Sequence, residues 1–144
     1  MKAIRHTGIV VNDLEQALRF YLDLLGLREV KRMEESGDYL DRITALKQAH
    51  VTTVKLAADD GNLIELLHFE SNTLFSEKNI HCSAIGAYHV AFTVNDVDKT
   101  YAFFKKKGVK FNSAPQYSPD GHAKVAFCRD PDGNYIELVQ EMNR

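Results

Sequence analysis

Asp132-Gly-Asn-Tyr-Ile-Glu-Leu138 repeats an earlier stretch, Asp60-Gly-Asn-Leu-Ile-Glu-Leu66, and departs from it only where Tyr135 stands for Leu63. The offset is 132 − 60 = 72, half of the 144-residue chain. A second pair recurs: His6-Thr-Gly-Ile-Val-Val-Asn-Asp13 and His89-Val-Ala-Phe-Thr-Val-Asn-Asp96. In both, the His stands six residues before the Asn. Each half therefore reads His, a helical segment, a Gly turn, then Glu. Two copies of one supersecondary unit, each carrying an imidazole and a carboxylate, point to a metal site at the junction of two pseudo-symmetric modules.

Working outward, Ile4 to Val11 is rich in β-branched residues and reads as a strand. Alternation puts Ile4, His6, Gly8 and Val10 on one face and Arg5, Thr7, Ile9 and Val11 on the other. Asp13 with Gln16 has capping-box spacing, and Leu14, Ala17, Leu18, Tyr21 and Leu25 recur at helical intervals. Gly26 suits a left-handed helix end. Strands follow at Leu27 to Met33, Val51 to Ala57 and Asn62 to Phe69; Glu34 to Ala49 reads as a loop with a short helical turn. Ser71 to Ile85 is a polar connector, long enough to cover a site or wrap an edge. The pattern then restarts: a strand at Tyr88 to Val94, an Asp96-capped helix with Val97, Tyr101 and Phe104, a stop at Gly108, and strands at Val109 to Ser113, Ala123 to Cys128 and Tyr135 to Gln140. Turn residues occupy Ser118 to Gly121 and Asp130 to Gly133. The expected fold is α+β: two βαβββ modules forming a cupped, barrel-like mixed sheet with helices on its outer face. Residues 1–144 form one domain, divided into a module over 1–70, a connector over 71–85 and a module over 86–144.

Composition excludes several classes. The net charge is −2, from 18 basic and 20 acidic residues, which leaves no electrostatic basis for nucleic-acid binding. No run approaches the about 18 apolar residues of a membrane span. Two cysteines, Cys82 and Cys128, make no disulfide framework, and with no apolar leader in view the expected setting is the reducing cytoplasm.

Glu65 lies between Leu63 and Leu67 on one strand face, and Glu137 between Tyr135 and Val139. A carboxylate buried at such a place must be paired, protonated or bound to metal. His6 and His89 hold the matching places at the start of each half. Two imidazoles and two carboxylates suit one borderline divalent ion, Zn, Ni, Co, Mn or Fe, and leave about two positions open on an octahedral metal for substrate. Taken singly, a strand His is more often a packed or rim residue and a strand Glu more often solvated. Inherited duplication alone would also repeat them. The retention of both ligand types in both copies favours a site.

The chain resembles the vicinal oxygen chelate superfamily, which includes glyoxalase I, methylmalonyl-CoA epimerase, bleomycin-resistance proteins and extradiol dioxygenases. The resemblance rests on His6 through Leu27, Tyr88 through Asp96, and Asp130-Pro-Asp-Gly-Asn-Tyr-Ile-Glu-Leu138, and it spans nearly the whole chain. It implies His6, Glu65, His89 and Glu137 as ligands of one divalent transition metal. It further implies a glyoxalase I-like lyase or isomerase acting on a small 2-hydroxy-carbonyl or thiol-adduct substrate through a metal-bound enediolate. Glu137 or Glu65 would double as the base, with Glu137 favoured. Tyr135, two residues before Glu137, is a substrate-binding candidate, with packing an equal alternative. Lys55, Lys124 and Tyr39 are candidate contacts for an anionic substrate. Relatives that use glutathione carry an Arg four residues after the first His and an Asn four residues after the first Glu; here these are Val10 and Phe69. The alternatives are a thioester epimerase of the methylmalonyl-CoA type and a non-catalytic small-molecule-binding protein. The remaining expectations are a small-molecule partner, no nucleic acid, no membrane, and a homodimer as one oligomeric form.

Overall fold

The computed structural model of the chain describes residues 2–70 and 80–142, so the expected connector lies largely outside the described residues. These residues fall into two compact units, 2–70 and 80–142. The first contains β1 (Thr7–Val10), α1 (Leu14–Leu18), β2 (Arg28–Ser36), α2 (Asp38–Thr44), β3 (His50–Ala57) and β4 (Leu63–Phe69). The second contains β5 (His89–Thr93), α3 (Val97–Lys106), β6 (Gln116–Tyr117), β7 (Ala123–Arg129) and β8 (Tyr135–Glu141). The strands make two four-stranded mixed sheets, not one closed barrel. Their orders are β1-β4-β3-β2 and β5-β8-β7-β6, with β1/β4 and β5/β8 parallel and the rest antiparallel. The fold is thus α+β with the same βαβββ path run twice, and the expected duplication is present in the topology as well as in the motifs.

Both long helices begin alike. Asp13 accepts from the Gln16 amide and Asp96 from the Lys99 amide, each at 2.9 Å. These caps satisfy amides that have no partner within the helix. The ends differ by one residue. Gly108, at φ 85, closes α3 with its own amide on Lys105 O and the Val109 amide on Phe104 O. Gly26, at φ 75, closes the first helix, but its amide bonds Leu22 O and the Leu27 amide reaches back to Tyr21 O. From cap to glycine the spacings are 26 − 13 = 13 and 108 − 96 = 12. The extra residue is absorbed as π-helix over Arg19–Leu24, where the Leu25 amide bonds Phe20 O. One inserted residue widens the turn instead of rotating every later side chain off its face.

The helices cover one face of each sheet. In the first unit Ile9, Val11, Ala17, Leu18, Tyr21, Val54, Leu56, Ile64 and Leu66 are buried. In the second the core is Val97, Phe104, Ala126, Cys128, Ile136 and Leu138. Each fully buried aliphatic contributes about 1.5–3 kcal/mol. Because side chains alternate, Leu63, Glu65 and Leu67 point to the opposite face, as do Tyr135, Glu137 and Val139.

Three expectations need correction. The stretch Glu34 to Ala49 is ordered: β2 runs on to Ser36 and α2 follows. The Asp41 carboxylate holds the Gln48 and Ala49 amides, and Leu40 and Ala49 pack on Val51. Val109 to Ser113 is not a strand. It makes one antiparallel bridge, Phe111 to Cys128, and pairing resumes only at β6, beyond Pro115. Proline has no amide to add to a ladder. The first strand is also shorter than expected, starting at Thr7 instead of Ile4.

Candidate functional site

Register builds the two carboxylate sites in the same way. Gly8 on β1 and Lys55 on β3 flank Glu65. Ala91 on β5 and Phe127 on β7 flank Glu137. In each unit the His stands two residues before the strand partner of the Glu, hence on the same face and within reach. His6 Nε2 lies 3.0 Å from Glu65 Oε2, and His89 Nε2 lies 3.0 Å from Glu137 Oε2. The two pairs match atom for atom. Gly8 lets Leu67 approach β1 closely, because a Cβ there would meet Leu67 Cδ1 at 3.2 Å.

The donor chemistry fits a divalent ion. Each pair brings a neutral-capable imidazole nitrogen and a carboxylate oxygen to the separation that two adjacent ligands about 2.1 Å from a shared ion would have. His6 is held through Nε2 alone, since its Nδ1 is buried without a hydrogen-bond partner among the described residues. No group of three or more His, Cys, Asp or Glu side chains able to hold a metal ion is gathered among the described residues.

The surroundings of the two carboxylates differ. In the first unit Lys55 Nζ sits 3.5 Å from Glu65 Oε1, so both oxygens of Glu65 face a basic group. In the second, Phe127 takes the place of Lys55, and its ring meets His89 edge-on at 5.2 Å. Lys55 was one of several candidates in the sequence, but the hairpin register could have singled it out. Residues equidistant from the Asp-Gly-Asn turn face one another, and 55 and 65 are five either side of 60.

Other candidates are placed as follows. Tyr135 is buried; the Arg129 guanidinium stacks on its ring at 4.0 Å and hydrogen-bonds its hydroxyl. Lys124 is taken up by Asp98 at 2.5 Å, which raises its pKa. Tyr39 is exposed on α2. Phe69 lies on the Glu65 face but packs, with Leu46 and Leu67, on the Leu40–Ala49–Val51 cluster. Val10 is exposed. His68 approaches Val11 O at 3.3 Å and His50 pairs with Glu70 at 2.7 Å, so neither joins the His6–Glu65 pair.

The turn before each Glu strand is also built differently. Asp60 accepts from the Asn62 amide and side chain, at 2.9 and 2.7 Å. In the second unit that work passes to Asp130, which accepts from the Asp132 amide (3.0 Å), the Asn134 amide (2.8 Å) and Asn134 Nδ2 (2.9 Å).

Comparison with known proteins agrees with the doubled βαβββ fold. The chain belongs to the Glyoxalase/Bleomycin resistance protein/Dioxygenase superfamily, whose sequence model matches residues 3–138. It is similar to the uncharacterized protein YraH of Bacillus subtilis, with 33% identity over 132 residues, 92% of this chain and 93% of that one. It is 29% identical over 140 residues to a probable lactoylglutathione lyase of Synechocystis, covering 96% of this chain and 95% of that one. Among solved structures, a glyoxalase family protein from Bacillus cereus matches with a TM-score of 0.89 at 25% identity, over 99% of this chain and 96% of that chain. No helix among the described residues is long and apolar enough to cross a membrane.

Proposed function

We propose that His6, Glu65, His89 and Glu137 together hold one divalent transition metal, and that the protein is a glyoxalase-type lyase or isomerase acting on a small carbonyl compound. The observation that carries this reading is the identical 3.0 Å Nε2–Oε2 pair in each half, on the sheet face left clear of α1 and α3. The relatives named as lactoylglutathione lyases support the reaction class. A cytoplasmic protein and a homodimer fit the same reading.

When bound, a divalent ion supplies Lewis acidity toward a carbonyl oxygen of the substrate. The chain does the rest. His6 and His89 present Nε2, and the two glutamates balance the charge. Glu137 is the base: its Oε takes the proton from the carbon next to the carbonyl and returns it to the neighbouring carbon. Glu65 suits that task less, because Lys55 engages the oxygen that His6 leaves. Glu137 has His89 on one oxygen and the apolar Phe127 as its strand neighbour. Glutathione fits poorly as the thiol carrier, because Val10 offers no charge and Phe69 is packed beneath α2. That favours another thiol adduct, a thioester or a thiol-free substrate.

The deciding experiment is the metal content of purified protein by elemental mass spectrometry, beside a His89→Ala/Glu137→Ala double variant. About one ion per chain, lost in the double variant, is expected of a single four-ligand site. A metal-free wild type that takes up no Zn, Ni, Co, Mn or Fe on incubation would remove the metalloenzyme reading and put small-molecule binding first.

A further inference from the structure

β2 is an outer strand of the first unit's sheet and, at nine residues, the longest strand among the described residues. It pairs with β3 alone, so alternate backbone N–H and C=O groups along it point away from the sheet. Seven of its nine residues are exposed, and no other backbone hydrogen bond reaches it among the described residues. A free edge of this length is a template for a further strand unless its charges repel every approach. Those charges are poorly served within the chain. Lys31 opposes Lys55 across the ladder, a like charge. None of Lys31, Glu34 and Glu35 is in an ion pair among the described residues. Arg32 is held by Glu29 of its own strand, at 3.0 and 3.1 Å.

We propose that this edge is an interface with a second copy of the chain: two β2 strands pair antiparallel about Met33 and join two four-stranded sheets into one. The argument is charge complementarity. A second β2 related by a two-fold axis normal to the sheet keeps the faces of both sheets aligned only when the axis passes through a residue position. Placed on any residue from Arg28 to Glu35, that axis opposes like charges in every case but one. A charged residue on the axis meets itself, and an axis at Val30 sets Arg28 against the partner's Arg32. An axis at Met33 is the exception. It sets Lys31 against the partner's Glu35 and Arg32 against the partner's Glu34, and symmetry repeats both pairs. It also centres the pairing on the regular part of the strand, beyond the register shift between Glu29 and Lys31. Lys31, left beside Lys55 in its own chain, gains a carboxylate there. The proposal stands apart from the metal reading and needs no ion.

The test is sedimentation equilibrium of the full chain. The wild type should be a dimer that added salt weakens. Lys31→Glu turns two attractive pairs into repulsive ones and should raise the dissociation constant by about tenfold or more, and Glu35→Lys should do the same. The double variant Lys31→Glu/Glu35→Lys restores every pair with its signs exchanged and should return to within about threefold of wild type. A mixture of the two single variants, each weak alone, should form a heterodimer, which also shows that both are folded. Amide exchange over 31–35 should slow as the wild-type concentration rises and should not in Lys31→Glu. A wild type that sediments as a monomer at every concentration overturns the proposal and leaves the charges as guards of the edge. A dimer that neither single variant weakens overturns it too, since the contact then lies elsewhere, as does a double variant or mixture that fails to reassemble.

Discussion

Replacing Asp130 by Ala should be among the most damaging single changes outside the hydrophobic core. Asp130 is 5% exposed and lies seven residues before Glu137. Its carboxylate closes the turn that launches β8 by accepting from three N–H groups, at 3.0, 2.8 and 2.9 Å. Hydrogen bonds to a charged acceptor contribute about 1.5–3 kcal/mol each. The donors are part-buried, so water recovers some of that, and about 1–1.3 kcal/mol per bond remains, or roughly 3–4 kcal/mol in all. For a chain of this length that corresponds to a fall in Tm of about 10–15 °C. Asp130→Asn keeps an acceptor oxygen for the two amides but sets its NH2 against Asn134 Nδ2, so it should lose about 1–2 kcal/mol. Circular dichroism melts give the totals, and amide exchange should place the loosening at Asp132 to Glu137. Asp60→Ala removes the exposed counterpart in the first unit and should melt much closer to wild type. If Asp130→Ala melts within about 2 °C of wild type, or Asp60→Ala falls as far, the reasoning fails.

Burial, with the Asp130 charge adding to it, pushes the Cys128 thiol from 9.0 up to about 12. In the unfolded chain it ionises near 9, so between pH 9 and 12 unfolding releases a proton. Stability should therefore fall as pH rises through that window, by about 1.4 kcal/mol per unit from this group, and denaturant midpoints of Cys128→Ala should lack that part of the decline. A thiol reagent at pH 8 should label exposed Cys82 quickly and buried Cys128 only on unfolding; equal rates would contradict the burial. Phe69→Ala should detach α2, at about 2 kcal/mol for a half-buried ring, seen as faster amide exchange over 38–49 with β1 and β4 unchanged. Glu137→Gln should lower turnover by at least about a hundredfold while keeping most of the metal, whereas Glu65→Gln should affect metal uptake more; steady-state rates beside metal content decide.

What could be read from the sequence was whatever the repeat encodes locally. The helix caps, the glycine stops and the two Glu strands each have signals within a few residues, and both copies of each support one another. The π-turn was hidden because its cause is a count, thirteen residues against twelve, and periodicity tolerates a slip of one. Segment 109–113 alternates like a strand, yet Pro115 limits what it can pair. The helix α2 was obscure for another reason: part of the cluster that holds it, Leu67 and Phe69, is distant in sequence. The His–Glu pairs were legible as residue types, but the lysine beside one of them required the register of the hairpin.

The two halves have kept their backbone path and their donor pairs while diverging around them. That combination is informative. Had the pairs been retained for packing, the neighbours that pack against them should have been retained too. Instead Lys55 faces Glu65 where Phe127 faces Glu137, and Gly8 stands where the second copy has Ala91. Duplication supplies two equal carboxylates; a reaction that moves a proton needs two unequal ones, a steady ligand and a base free to let go. A charged neighbour on one and an aromatic neighbour on the other is a direct way to separate those roles. On the proposed reading, these differences between the copies favour Glu65 for the steadier role and Glu137 for the reactive one.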